Sequence, residues 1–172
     1  MYQRIIVPID GSATAAAGLD EAIAMARLTG AELRLMHVLD ATAYATGFEP
    51  GVVYCSEVIP QMKRAGTRIL EAAKARAEAG GVTAEGLLLD TVAGRVCDLV
   101  VAQAVSWGAD LIVIGTHGRR GVDRFFMGSD AEQVLRMAPV PVLLVRTEGE
   151  RARTTAQSVV AAKASAAASM AT

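Results

Sequence analysis

Asp10, Ser12, Ser129 and Asp130 are the side chains whose types and setting could do chemistry in this chain, and glycines surround all four. Residues 111–118 read Leu-Ile-Val-Ile-Gly-Thr-His-Gly, and Gly128-Ser129 follows to open an amphipathic run. A β-forming run, a glycine-punctuated loop and a helix start in that order suit phosphate binding. The first N–H groups of a helix have no intrahelical partner, and its positive end favours an anion. Glycines in the loop supply φ > 0 or let an anion approach without meeting a Cβ. The plain alternative is a loop of ordinary turn glycines.

Other chemistries find less support. There is no Gly-x4-Gly-Lys-Ser/Thr, which excludes a P-loop nucleotidase, and no Gly-x-Ser-x-Gly. Ser129 has no evident base, so no catalytic residue is assigned. Asp10, Asp123 and Asp130 are the only candidates for activating water. His37 falls in a strand and His117 in the loop, with no clustered cysteines or carboxylates, so no metal site is expected. Cys55 and Cys97 lack Cys-x-x-Cys spacing, which points to reduced thiols and a cytoplasmic setting.

The elements that must position these groups follow from composition and period. At 172 residues the chain is read as one domain, with 4% aromatics implying a core of Val, Ile, Leu and Ala. A net charge of −1 gives no reason to expect nucleic acid or an anionic membrane. The N-terminus has no signal-peptide pattern, and no segment approaches the roughly 20 apolar residues of a membrane span.

Residues 4–9 form an apolar run without alternation, the pattern of a strand buried on both faces. Ser12 is placed to cap a helix carrying Leu19, Ile23 and Ala26 inward, which Gly30 ends. Residues 32–38 form a second strand, and residues 41–55 a long loop. A helix starting between Ser56 and Pro60 buries Met62, Gly66, Ile69, Ala73 and Ala77. A third strand is centred on residues 87–89. The next helix carries Val96, Leu99, Val100, Ala104 and Trp107, with Cys97 as a small core residue. After the glycine loop, Ala131, Val134, Leu135 and Ala138 mark the last helix, and the fifth strand runs from Val142 to Arg146. Residues 148–172 are Ala/Ser-rich without an apolar stripe and read as a mobile tail on a domain of residues 1–147.

Alternating strands and helices predict a parallel sheet covered on both faces, with ligands beyond the carboxyl ends of the strands where strand order reverses. The loops after the first and fourth strands are the natural pair. They carry Asp10-Gly11-Ser12 and residues 115–129, so two lines of reasoning meet at one cleft.

The residues of that cleft resemble the universal stress protein family. The likeness lies in Val7-Pro8-Ile9-Asp10-Gly11-Ser12, Leu35-Met36-His37-Val38, Gly115-Thr116-His117-Gly118-Arg119 through Gly128-Ser129, and residues 138–145. It extends over residues 1–147, and Gly-x2-Gly-x9-Gly-Ser is the mark of the family's ATP-binding branch. The resemblance implies a three-layer α/β/α, Rossmann-like fold (adenine nucleotide α-hydrolase-like) with five parallel strands in the order 3-2-1-4-5. It also implies a homodimer and an adenine nucleotide, ATP or another, with or without Mg²⁺. Carried over by position, Asp10 holds the ribose hydroxyls and the Val38 backbone reads the adenine edge. Gly115, Gly118, Gly128 and Ser129 line the ribose and phosphates, with Pro8, Ser12, Arg119 and Asp130 completing the site.

Asp130 departs from comfort, because its carboxylate shares the helix end that phosphate needs. An acid there stabilises a helix by roughly 0.3–1 kcal/mol, yet it opposes a triphosphate unless it turns away or a Mg²⁺ intervenes. Arg119, Arg120 and Arg124 could offset it, as guanidinium suits phosphate. Arg119 adjoins Gly118; the other two serve equally as a solvated face. The leading expectation is a cytoplasmic, dimeric, nucleotide-binding regulator of stress survival. The alternatives are a dimeric interaction module without nucleotide and, third, slow ATP hydrolysis or phosphoryl transfer. An edge strand from Val142 to Arg146 supports the dimer on physical grounds, because pairing with a second copy removes an unpaired edge. Protein partners beyond that copy are not identified.

Overall fold

The computed structural model of the chain describes residues 2–40, 58–91, 94–118 and 127–149. Five strands, β1 (Arg4–Pro8), β2 (Glu32–Asp40), β3 (Ala84–Thr91), β4 (Leu111–Gly115) and β5 (Val142–Val145), pair in parallel in the order β3-β2-β1-β4-β5. Among the described residues, four helices connect them: α1 (Ala13–Thr29), α2 (Ile59–Ala79), α3 (Val96–Trp107) and α4 (Ser129–Met137). The three-layer fold and the strand order expected from the sequence are both present.

Strand alternation divides the core in two. Ile5, Val7, Leu33, Leu35, Leu111 and Val113 face α1 and α2 through Leu19, Ile23, Leu70 and Ala77. Ile6, Met36, Ile112 and Ile114 face α3 and α4 through Cys97, Val100, Ala104, Ala131 and Val134. The central strands β1 and β4 are thus buried on both sides, which is why their sequences do not alternate.

Local signals hold at α1. The Ala15 N–H donates to Ser12 Oγ at 3.1 Å, and Gly30 closes the helix in the left-handed region. Two helix faces differ from expectation. Leu135 is 46% exposed, because α4 turns only Ala131 and Val134 fully inward. In α2 it is Leu70 that is fully buried, with Met62 and Ile69 only half-buried at the cavity described below. Trp107 packs at the rim of the second core, with the Arg34 guanidinium 4.4 Å above its ring.

The expected loop at 41–55, Arg119, Arg120, Asp123 and Arg124, Cys55 and nearly all of the tail at 148–172 lie outside the described residues. Among the described residues, no helix is long and apolar enough to cross a membrane.

Candidate functional site

The strand order reverses between β2-β1 and β4-β5, and a cavity of about 610 Å³ opens at the carboxyl ends of the strands there. That volume lies within the range of small-molecule sites. Its lining brings together Pro8, Asp10, Val38, Gly115, Gly118, Gly128, Ser129 and Asp130 from the residues expected on sequence. Ser12 is not in the lining, and Arg119 lies outside the described residues.

Asp10 leaves the end of β1 with its carboxylate held in place. The Ser12 N–H donates to Asp10 Oδ1 at 2.9 Å, while Oδ2 lies against Gly118, where an added Cβ would meet it at 2.9 Å. The two halves of the cleft therefore touch at this pair.

Hydroxyl groups tie the same halves together below. Thr14, buried in the first turn of α1, donates its hydroxyl hydrogen to the carbonyl oxygen of His117. That hydrogen being committed, the Ser12 hydroxyl is the donor in its 3.1 Å contact with Thr14 Oγ1. Ser12 also accepts from Ala15, so its one proton is used within the protein. Within the protein, Ser12 thus holds Asp10 and the start of α1 in place.

The glycines work differently from the expectation of φ > 0. Among the described residues, the positive-φ glycines are Gly11, Gly30, Gly81, Gly94 and Gly108, and Gly115, Gly118 and Gly128 are not among them. Close approach of chain to chain is what they permit. A Cβ on Gly115 would stand 2.7 Å from the Thr14 carbonyl carbon, so only glycine lets α1 cross the end of β4 there. The Gly128 N–H donates to the Thr116 carbonyl at 2.8 Å, and the Thr116 N–H to that of Val145 at 3.0 Å, which fixes both ends of the glycine loop. His117 makes local contacts, with Nδ1 3.2 Å from Thr116 Oγ1.

From Gly128 the chain enters α4, and Gly128, Ser129, Asp130 and Ala131 all line the cavity. The positive end of that helix therefore opens on it. Asp130 and Glu132 stand in the first turn; Glu132 is paired to Arg136 at 2.9 Å.

On the other wall, β1 stops pairing with β2 early. The Ile9 N–H donates to the Met36 carbonyl at 2.7 Å, which is the last backbone bond along that edge among the described residues. Val38, two residues further, directs its N–H and C=O to the same side as Met36, past the end of β1 and into the cavity. Sequence reasoning missed His37 and the apolar wall of Met36, Met62, Ala65 and Ile69. The signal for the wall was the Met62–Ile69 spacing, read as core.

A model of the universal stress protein family matches residues 1–146. The chain is 33% identical to the universal stress protein YxiE of Bacillus subtilis over 151 residues, covering 85% of this chain and 100% of that protein. Its fold matches the universal stress protein UspA from Lactobacillus plantarum with a TM-score of 0.73, at 25% identity over 84% of this chain and 98% of that one. It also matches the universal stress protein from Archaeoglobus fulgidus solved in complex with dAMP, with a TM-score of 0.60 at 28% identity over 84% of this chain and 98% of that one.

Proposed function

The chain belongs to the universal stress protein family, and on that premise we propose that the cleft beyond β1, β2 and β4 holds an adenine nucleotide, with ATP the first choice. One observation carries the reading: four unlike groups converge on a single cavity, namely the Val38 peptide, the Asp10 carboxylate, the bare Gly118 backbone and the N-terminus of α4. Each suits a different part of a nucleotide. Val38 offers one donor and one acceptor to a base edge, and Asp10 can accept two hydroxyl hydrogens from a ribose. Gly115, Gly118, Gly128 and Ser129 would line the phosphates, with Arg119 beside Gly118 as their counter-charge. Pro8 would pack at the strand end below the sugar. The dAMP complex of the Archaeoglobus relative supports an adenine-type ligand.

In this reading the nucleotide is a ligand that alters the 115–128 loop, and with it a surface offered to a partner. The protein acts as a cytoplasmic, dimeric regulator of stress survival, its copies joined along β5 from Val142 to Arg146. Asp130 favours a second reading, a dimeric interaction module without nucleotide, because this acidic residue lines the cavity at the helix end that phosphates need. A Mg²⁺ held by Asp130 would offset that charge and let a polyphosphate bind.

The test is to denature the purified protein, identify any released nucleotide, and titrate ATP calorimetrically with and without Mg²⁺. Binding is expected; none at millimolar ATP overturns the proposal and leaves the interaction module. Phosphate release lost in Asp10→Asn or Asp130→Asn would promote slow hydrolysis instead.

A further inference from the structure

We propose that His37 selects the base, its Nε2 accepting a hydrogen bond from the exocyclic amine of a 6-aminopurine and so disfavouring 6-oxopurines. The proposal rests on the adenine-nucleotide reading above. His37 is only 5% exposed and lines the cavity. Its Nδ1 lies 2.5 Å from the Ile9 carbonyl oxygen. A carbonyl only accepts, so Nδ1 carries the hydrogen, and in the neutral ring Nε2 is left as a bare acceptor.

The ring is clamped in that pose. A Cβ on Gly66 would stand 2.7 Å from His37 Cδ2, so α2 presses its glycine directly onto the imidazole. Leu39 and Leu88 crowd the same spot. Among the described residues, no buried side-chain nitrogen or oxygen lacks a partner, and none of these residues pairs with Nε2. The Nε2 lone pair therefore opens on the cavity.

Its neighbour Val38 points a peptide N–H and C=O into the same cavity. An adenine amine has two N–H donors, which suit two acceptors: the Val38 carbonyl takes one and Nε2 the other. A 6-oxopurine brings a carbonyl oxygen to the same place, and acceptor then faces acceptor. Buried polar groups left without partners are what make such sites discriminate.

The experiment compares ATP, inosine triphosphate and purine riboside triphosphate on the full chain and on His37→Phe, by calorimetry. The wild-type protein is expected to prefer ATP to inosine triphosphate by about tenfold or more, and His37→Phe to shrink that ratio by about tenfold through weaker ATP binding. An unchanged ratio in a cooperatively folded His37→Phe overturns the proposal. ¹⁵N NMR on histidine-labelled wild-type protein decides if the variant does not fold. The His37 Nε2 resonance should move on ATP binding and not on inosine triphosphate binding; an unmoved resonance with ATP bound overturns the proposal. If none of the three nucleotides binds, the nucleotide reading falls as well. Binding with an unchanged ratio or an unmoved resonance removes only His37.

Discussion

The Asp10 carboxylate fills the space that a side chain at Gly118 would occupy: Oδ2 lies 2.9 Å from the position of a Cβ there. Because the Ser12 N–H holds Oδ1 at 2.9 Å, the carboxylate cannot swing aside without losing that bond. Gly118→Val is therefore expected to displace Asp10 and cut nucleotide affinity by roughly tenfold to a hundredfold, the worth of charge-assisted hydrogen bonds. Gly118 is exposed, so the melting temperature should shift little. Calorimetry and thermal unfolding check both halves; unchanged affinity would mean that the loop is not part of the site.

Gly115 answers to the backbone alone. Its missing Cβ would meet the Thr14 carbonyl carbon at 2.7 Å and the oxygen at 2.8 Å, and neither is the end of a flexible side chain. Gly115→Ala is expected to destabilise the fold by about 1–3 kcal/mol through overpacking. A urea denaturation midpoint equal to that of wild type would show that α1 can retreat from β4.

Asp130 should oppose a polyphosphate. Asp130→Asn is expected to tighten ATP binding about fivefold without Mg²⁺, since one unit charge near the ligand is worth of order 1 kcal/mol in a solvent-rich site. With Mg²⁺ the gain should shrink. The same change removes an acid from the first turn of α4, so stability should fall by about 0.3–1 kcal/mol. A Mg²⁺-independent effect would place the carboxylate away from the phosphates.

Burial pushes the Cys97 thiol above its ordinary value of 9.0, with the Asp98 carboxylate adding to the rise, Arg95 opposing it and Asp130 contributing. The unfolded chain then loses this proton first. Stability from Cys97 is full below pH 9.0 and is lost as pH rises through the higher folded value. Denaturation midpoints of wild type and Cys97→Ala should therefore converge as pH rises above 9.0; a constant gap would contradict the sign.

The proposed dimer is open to a simple test at β5. Pro141 and Val145 turn their carbonyls to β4, accepting from Ile112 and Thr116, so by strand alternation Leu144 points its N–H outward. Leu144→Pro removes that donor and spares the β4 ladder. Analytical ultracentrifugation should show twice the chain mass of 17.9 kDa for wild type and once that mass for the variant. A variant that stays dimeric would move the interface elsewhere.

Residue types and their order determined much of this protein by themselves. An unbroken apolar run specified β1 as a doubly buried strand, four apolar β-formers marked β4, Ser12 and Gly30 bounded α1, and the glycine spacing after β4 pointed to the family and the cleft. These features are local, or depend on a period that burial imposes directly. Tertiary structure decided which neighbour each residue meets. Helix phase put Leu70 inward and Leu135 outward, because packing against the sheet selects among adjacent apolar positions. Ser12 spends its proton on Thr14, a contact no spacing reveals. The loop glycines that suggested room for an anion also make room for other parts of the chain: Gly115 for the start of α1 and Gly118 for Asp10. Sequence could say that a Cβ was unwelcome; only the folded chain shows what would have met it.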